Sequence, residues 1–172
     1  MSRNFRRADL RNVDLGDVVL TEASMTNAVL SGMRLAERDM SWSDMYQVDM
    51  RQTNCAGADF HGAKLIRANF NDSELSGVNM VGVDAKGAAF RSSIMDFANL
   101  ACADLSYADM SECSLRDANL SMANLRGASF RFADLSGVDF RGAILDRAEF
   151  VWAILIDCKF DDGALERAVV GD

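Results

Sequence analysis

Proline is absent from the 172 residues, so no turn in this chain rests on proline's fixed φ. No apolar run approaches the ~18 residues that a membrane-spanning helix needs, although 49% of the residues are hydrophobic. The opening MSRNFRRADL has arginines without an apolar stretch behind them, so a secretory signal is not expected. Cysteine is sparse: Cys55, Cys102, Cys113 and Cys158 lie far apart and form no CxxC pair. That argues against a disulfide framework or a zinc site, and free thiols fit a reducing cytoplasm. Positive charge is in the minority, with 18 Lys and Arg against 26 Asp and Glu and a net charge of -8. Phosphate binding needs clustered Lys and Arg, so no direct contact with nucleic acid is expected. The balance suits a basic partner or simple solubility. No HExxH motif or Gly-rich phosphate loop is present, and neither a cofactor nor a metal is expected.

What the sequence does have is a period of five. Every fifth residue from Phe5 to Val170 gives 34 slots, and 31 of them hold Leu, Phe or Met; Cys55, Ala85 and Val170 are the exceptions. All 16 Leu residues of the chain fall in this register. Two places earlier the residue is small in 31 of 34 repeats, with Arg3, Met33 and Arg38 as exceptions. The residue just before the large one is Asp or Asn in 18 of 34, and nine of the 12 Gly sit two places after it. A helix repeats near 3.6 and a strand at 2.0, so neither keeps such a series on one side. A coil that turns a corner after each repeat does: four repeats close a 20-residue square turn, with the large and the small residue both pointing inward. Gly at the corner suits positive φ, and Asp or Asn beside it can bond the local backbone. Leu100, Leu120, Phe140 and Phe160, each 20 apart, are predicted to stack in one interior column. Over 34 repeats this predicts about 8 coils in one domain, residues 1–172, and a rod roughly 40 Å long.

Repeats such as Ala8-Asp9-Leu10-Arg11-Asn12 and Ala118-Asn119-Leu120-Ser121-Met122 resemble the pentapeptide repeat family along essentially the whole chain. The resemblance implies an all-β fold, a right-handed quadrilateral β-helix. It also implies a role in which surface is presented and no reaction is catalysed. Several members of that family protect or inhibit bacterial type II topoisomerases (DNA gyrase) by resembling a short piece of DNA in width and charge, and some confer quinolone resistance. This sequence is similar to them in repeat type and acidity. It has no room for their loops between coils, and its repeat runs on through Asp162-Gly163-Ala164-Leu165 with no helix expected after it.

Two surfaces stand out once repeats are assigned to faces. The third face, with large residues at 15, 35, 55 and onward, carries Asp14, Asp17, Glu37, Glu74, Asp96, Asp117, Asp134 and Asp157 against only Arg34 and Arg116. Those eight acids less two cations leave -6, the strongest charge of any face and a candidate stripe for a basic protein groove. The alternative is an adaptor rod that binds another protein without DNA mimicry. Outward slots near the C-terminus are apolar: Phe132, Val151, Trp152, Ile154 and Ile156 are expected to form one patch and to join two copies as a homodimer. His61, directly after inward Phe60, is expected on the outside with no Ser or Cys partner. Arg38 is the main flaw, a charge in an inward slot within weak repeats running from Met33 to Cys55. Either the coil distorts locally so that Arg38 reaches solvent, or Arg38 marks a bulge on a binding face.

Overall fold

The computed structural model describes residues 3–171. Each repeat has one conformation. The large residue enters a turn closed by a bond three residues on, as where the Ala103 N–H donates to the Leu100 carbonyl at 3.2 Å. The third residue of that turn lies at positive φ, here Cys102 at 59°, the mark of a type II turn. Every repeat from Glu22 to Asp157 repeats this corner. At some corners held by glycine a side chain would collide. At Gly62 a Cβ would come within 2.5 Å of the Trp42 ring on the corner above, and at Gly127 within 2.9 Å of Tyr107. Most corners nevertheless hold other residues, including Phe97, Tyr107 and Trp152. Left-handed backbone costs an ordinary residue roughly 1–2 kcal/mol, and the inter-coil bonds of the same repeat offset that cost.

Those bonds run between positions 20 apart. The residue before each large one forms a parallel bridge with its counterpart one coil down. On the second face this column is unbroken through Asp9, Val29, Asp49, Asn69, Ala89, Asp109, Ser129, Glu149 and Val169. Its bonds go both ways: Phe90 N–H donates to the Asp109 carbonyl at 2.7 Å, and Ala89 N–H to the Ala68 carbonyl at 2.9 Å. Asp and Asn at these positions accept the N–H two residues on, as Asp59 does from His61 at 2.8 Å, and so stiffen the corner. The bridges are isolated, one residue wide, and no continuous strand occurs among the described residues. A square of five-residue sides leaves room for only one paired residue between corners.

The interior is a single stack. From Leu20 to Leu145 the large residues are at most 4% exposed. Leu100 and Leu120 are buried, and Phe140 lies parallel to Phe160 with ring centroids 4.9 Å apart, close to the spacing of neighbouring strands. Phe70 and Phe90 stack in the same way at 5.3 Å. Where the small inward residue is polar it is satisfied: Ser93 Oγ donates to the Phe70 carbonyl at 2.6 Å and Ser43 Oγ to Met40 at 2.6 Å.

The pairing fails in two places. Near the C-terminus, positive φ moves from the corner position Asp162 to Gly163, and the next repeat winds into a single 3₁₀ turn, Ala164–Arg167. The expectation that no helix follows is corrected there, though the element is one turn, and Val169 still rejoins the second face. The larger failure surrounds Arg38. Bridges between positions 14 and 34 and between 19 and 39 are missing, although Arg34 and Asp39 are bridged normally to the coil below. Neither Asn12 nor Asp17 adopts the left-handed corner. Arg38 does not reach out to solvent as one expectation held. It is half-buried, and its guanidinium turns back between the first and second coils. There it donates to the carbonyls of Gly16 at 2.5 Å, Leu15 at 2.8 Å and Val18. The distortion therefore lies above Arg38, in the first coil, and not in the stretch from Met33 to Cys55, whose bridges downward are intact.

Candidate binding surfaces

The eight acids of the third face divide into three kinds. Asp14, Glu74 and Asp134 occupy the bridge position, and each turns a carboxylate oxygen onto the backbone N–H two residues on, at 2.9, 2.9 and 3.1 Å. Asp17, Glu37, Asp117 and Asp157 stand on the corner column, exposed, with no ion pair among the described residues. Asp96 belongs to neither group and is a correction to the expected stripe. It is only 7% exposed. Arg116, one coil below, clamps it through Nη2 at 2.6 Å and Nε at 3.0 Å, and Ser114 Oγ adds a contact at 2.5 Å. Burial raises the Asp96 carboxyl pKa, but the bonds from Arg116 and Ser114 outweigh burial and hold it below the usual value. The charge of Asp96 is thus neutralised within the rod. Position alone missed this; the signal was the opposite charge 20 residues away.

Charge density sets a limit on this face. From Asp17 to Asp157 is seven coils, roughly 34 Å at ~4.8 Å per coil. Duplex DNA of that length carries about 20 phosphate charges. The four free corner carboxylates and the three turn-bonded ones make seven in all.

The C-terminal patch is largely exposed. Trp152 is 69% and Ile156 62% accessible, with Phe132 and Ile154 also exposed, while Val151 is half-buried. Phe132 stands one coil above Trp152 on the same corner, with the Arg131 guanidinium 6.0 Å from its ring centroid. The sequence reading missed further apolar corners: Phe97, Tyr107, Met122 and Trp42 are each at least 60% exposed. Their signal was the corner slot itself, which projects any large residue outward.

Burial pushes the thiols of Cys55 and Cys113 up to about 12, so neither is a thiolate near neutrality. His61 is half-buried, edge-on to Trp42 with ring centroids 5.0 Å apart. Among the described residues no three His, Cys, Asp or Glu side chains are grouped to hold a metal ion, and no helix is long and apolar enough to cross a membrane.

The chain is similar to a solved pentapeptide repeat protein of the Arabidopsis thaliana thylakoid lumen, at 30% identity over 70% of this chain and 66% of that one, just under two thirds of its length, with a TM-score of 0.45. It is similar to HetL of the cyanobacterium Nostoc sp. strain PCC 7120, involved in heterocyst differentiation regulation, at 26% identity over 81% of each chain and a TM-score of 0.31. Full-length QnrB1, a plasmid-mediated fluoroquinolone resistance protein, matches at 16% identity over 96% of each chain with a TM-score of 0.36. No curated protein sequence matches this chain. The family profile described as Pentapeptide repeats (8 copies) matches residues 4–37, 15–52, 53–91, 93–131 and 123–162. With its five-residue corners and 20-residue ladder covered almost end to end by that profile, the chain belongs to the pentapeptide repeat family.

Proposed function

We propose that this chain is a non-catalytic protein-binding rod of the cytoplasm, an all-β, right-handed quadrilateral β-helix in one domain, which offers its third face to a basic groove on a protein partner. The partner placed first is a bacterial type II topoisomerase, DNA gyrase, approached as a short DNA mimic. No cofactor, metal, membrane or direct nucleic-acid contact enters this reading. It is carried by one observation: Asp17, Glu37, Asp117 and Asp157 share one corner column and none is paired among the described residues. Unpaired charges on one edge steer a basic partner and lose that effect with salt.

A second reading, an adaptor rod for another protein, is favoured by a different observation: seven charges stand where DNA carries about 20. A gyrase supercoiling assay separates the two. The first reading expects inhibition or protection at micromolar protein, diminished by salt and by changing Asp17, Asp117 and Asp157 together to Asn. Supercoiling indifferent to the wild-type protein would leave only the adaptor. The exposed Phe132, Trp152, Ile154 and Ile156, flanked by Val151, are read as the contact between two copies in a homodimer. Sedimentation as a monomer at tens of micromolar would contradict that contact.

A further inference from the structure

The breach around Arg38 leaves both of its walls unsatisfied. In the rest of the rod, N–H groups point down from one coil and up from the next into mutual bonds. Across this breach the N–H groups of Leu15 and Asp17 above, and of Arg34 and Asp39 below, have no hydrogen-bond partner among the described residues. Unpaired backbone donors and acceptors on a strand edge are a template for another chain. The breach is also hollow. On the third face it holds a cavity of about 340 Å³, lined among others by Arg11, Arg34, Arg38, Asp14 and Gly32. On the fourth face there is a second cavity of about 440 Å³, lined by Asp17, Glu37, Arg38 and Asp39 among others. Both are within the range of small-ligand pockets, ~300–1,000 Å³. Three arginines and one aspartate line the first cavity. Arg11 is held by Asp9 at 2.6 Å and Arg38 by its three carbonyls, while Arg34 has no ion pair among the described residues.

We propose that the slot between the first and second coils on the third face, held open by Arg38, is a docking site for an extended peptide segment that carries a carboxylate side chain. The peptide lies as an added strand between the coils. Its carbonyls accept from Leu15, Asp17 and Arg34 N–H, and its own N–H groups donate to the carbonyls of Val13 and Arg34. Its carboxylate meets the Arg34 guanidinium. Arg38 is a positioning residue: its guanidinium takes up the Val18 carbonyl that the ladder leaves empty and adds bonds to the carbonyls of Leu15 and Gly16, while keeping the coils apart. An alanine there is the ordinary small inward residue, which would let positions 19 and 39 pair and draw positions 14 and 34 of the adjoining face together. The slot uses the backbone N–H of Asp17 and the Arg34 side chain but none of the corner carboxylates, so either reading stands if the other fails.

The test is amide-resolved NMR titration of the full chain with acetyl-Thr-Val-Glu-Val-Thr-amide, with the Glu→Lys version of that peptide as control. The expected result is shifts confined to residues 13–17 and 33–38, with the Lys peptide roughly tenfold weaker. Arg34→Ser should abolish the preference for the Glu peptide. Arg38→Ala should close the slot, losing the shifts without lowering the melting temperature. Absence of shifts in the wild-type chain at millimolar peptide, shifts located elsewhere, or equal binding of the Glu and Lys peptides would overturn the proposal. So would undiminished binding to Arg38→Ala. Should that variant fold poorly, the wild-type localisation and Arg34→Ser decide alone.

Discussion

The first coil and the coils beneath it are written in the same five-residue repeat, yet they are held together differently. Below Arg38, as far as the C-terminal 3₁₀ turn, every inward slot is filled by a large apolar residue or a small one, and all four faces are bridged from coil to coil. Between the first and second coils only the first and second faces are bridged; on the other two a single guanidinium takes the place of the ladder. The large residues of the first coil remain largely buried, Leu10, Leu15 and Leu20 among them, so the apolar column does not by itself impose backbone pairing. The small inward residue does, because it lets successive coils settle to strand spacing. Two residues of the second coil depart from it, Met33 on the third face and the charged Arg38 on the fourth, and the pairing is lost on those two faces.

The largest effect that can set the two regions apart is a buried charge. Leu120→Asp places a carboxylate at the middle of the stack, where a lone ion has no partner, and should cost on the order of 3–5 kcal/mol or more. Leu15→Asp, beside the open slot, should cost well under half of that because water reaches the site. Thermal melts of the two variants check this. Equal losses would mean that the slot is closed in solution. Next come the corners. Gly62→Ala meets the Trp42 ring and a left-handed backbone together, whereas Gly32→Ala meets the backbone term alone, with nothing within 4 Å of its Cβ. The expected costs are about 2–3 kcal/mol and about 1 kcal/mol, read from denaturant midpoints.

The period of five made the body legible: which residues point inward, where the corners fall, and which side chains stack 20 apart. Failures of the reading came where a side chain left its slot's usual direction. Arg38 was recognised as out of place, but the register continues unbroken through Arg34 and Asp39, so nothing local announced that the coil above would detach. Asp96 was assigned to the exposed stripe from its outward slot. Its neutralisation by Arg116 is a contact between coils, visible only when columns are read downward as well as along the chain. The 3₁₀ turn arose from a one-residue shift of the left-handed corner onto Gly163, the residue that adopts that conformation most cheaply.

Smaller effects concern the acids. Asp96→Asn should cost about 1 kcal/mol, since Arg116 is more than half exposed and its charge is screened. The folded carboxyl of Asp96 lies below its ordinary value. Its contribution is therefore complete above the unfolded pKa of ~3.9 and disappears as pH falls below that through the folded value. Wild type and Asp96→Asn should accordingly converge in stability under acid and separate near neutrality. Converting Asp17, Asp117 and Asp157 to Asn should change stability by less than about 0.5 kcal/mol, with any loss of partner binding unaccompanied by a drop in melting temperature.

Native-state amide hydrogen exchange compares the two regions most directly. Asn54 and Asp59, bonded upward to Met33 and Arg38 at 2.9 Å each, should exchange only through unfolding of the body. Arg34 and Asp39, one coil above in the same columns and without those bonds, should exchange orders of magnitude faster, and Arg38→Ala should slow both. If Arg34 and Asp39 are as protected as Asn54 and Asp59 in the wild-type chain, the first coil is paired like the rest and the account of Arg38 is wrong.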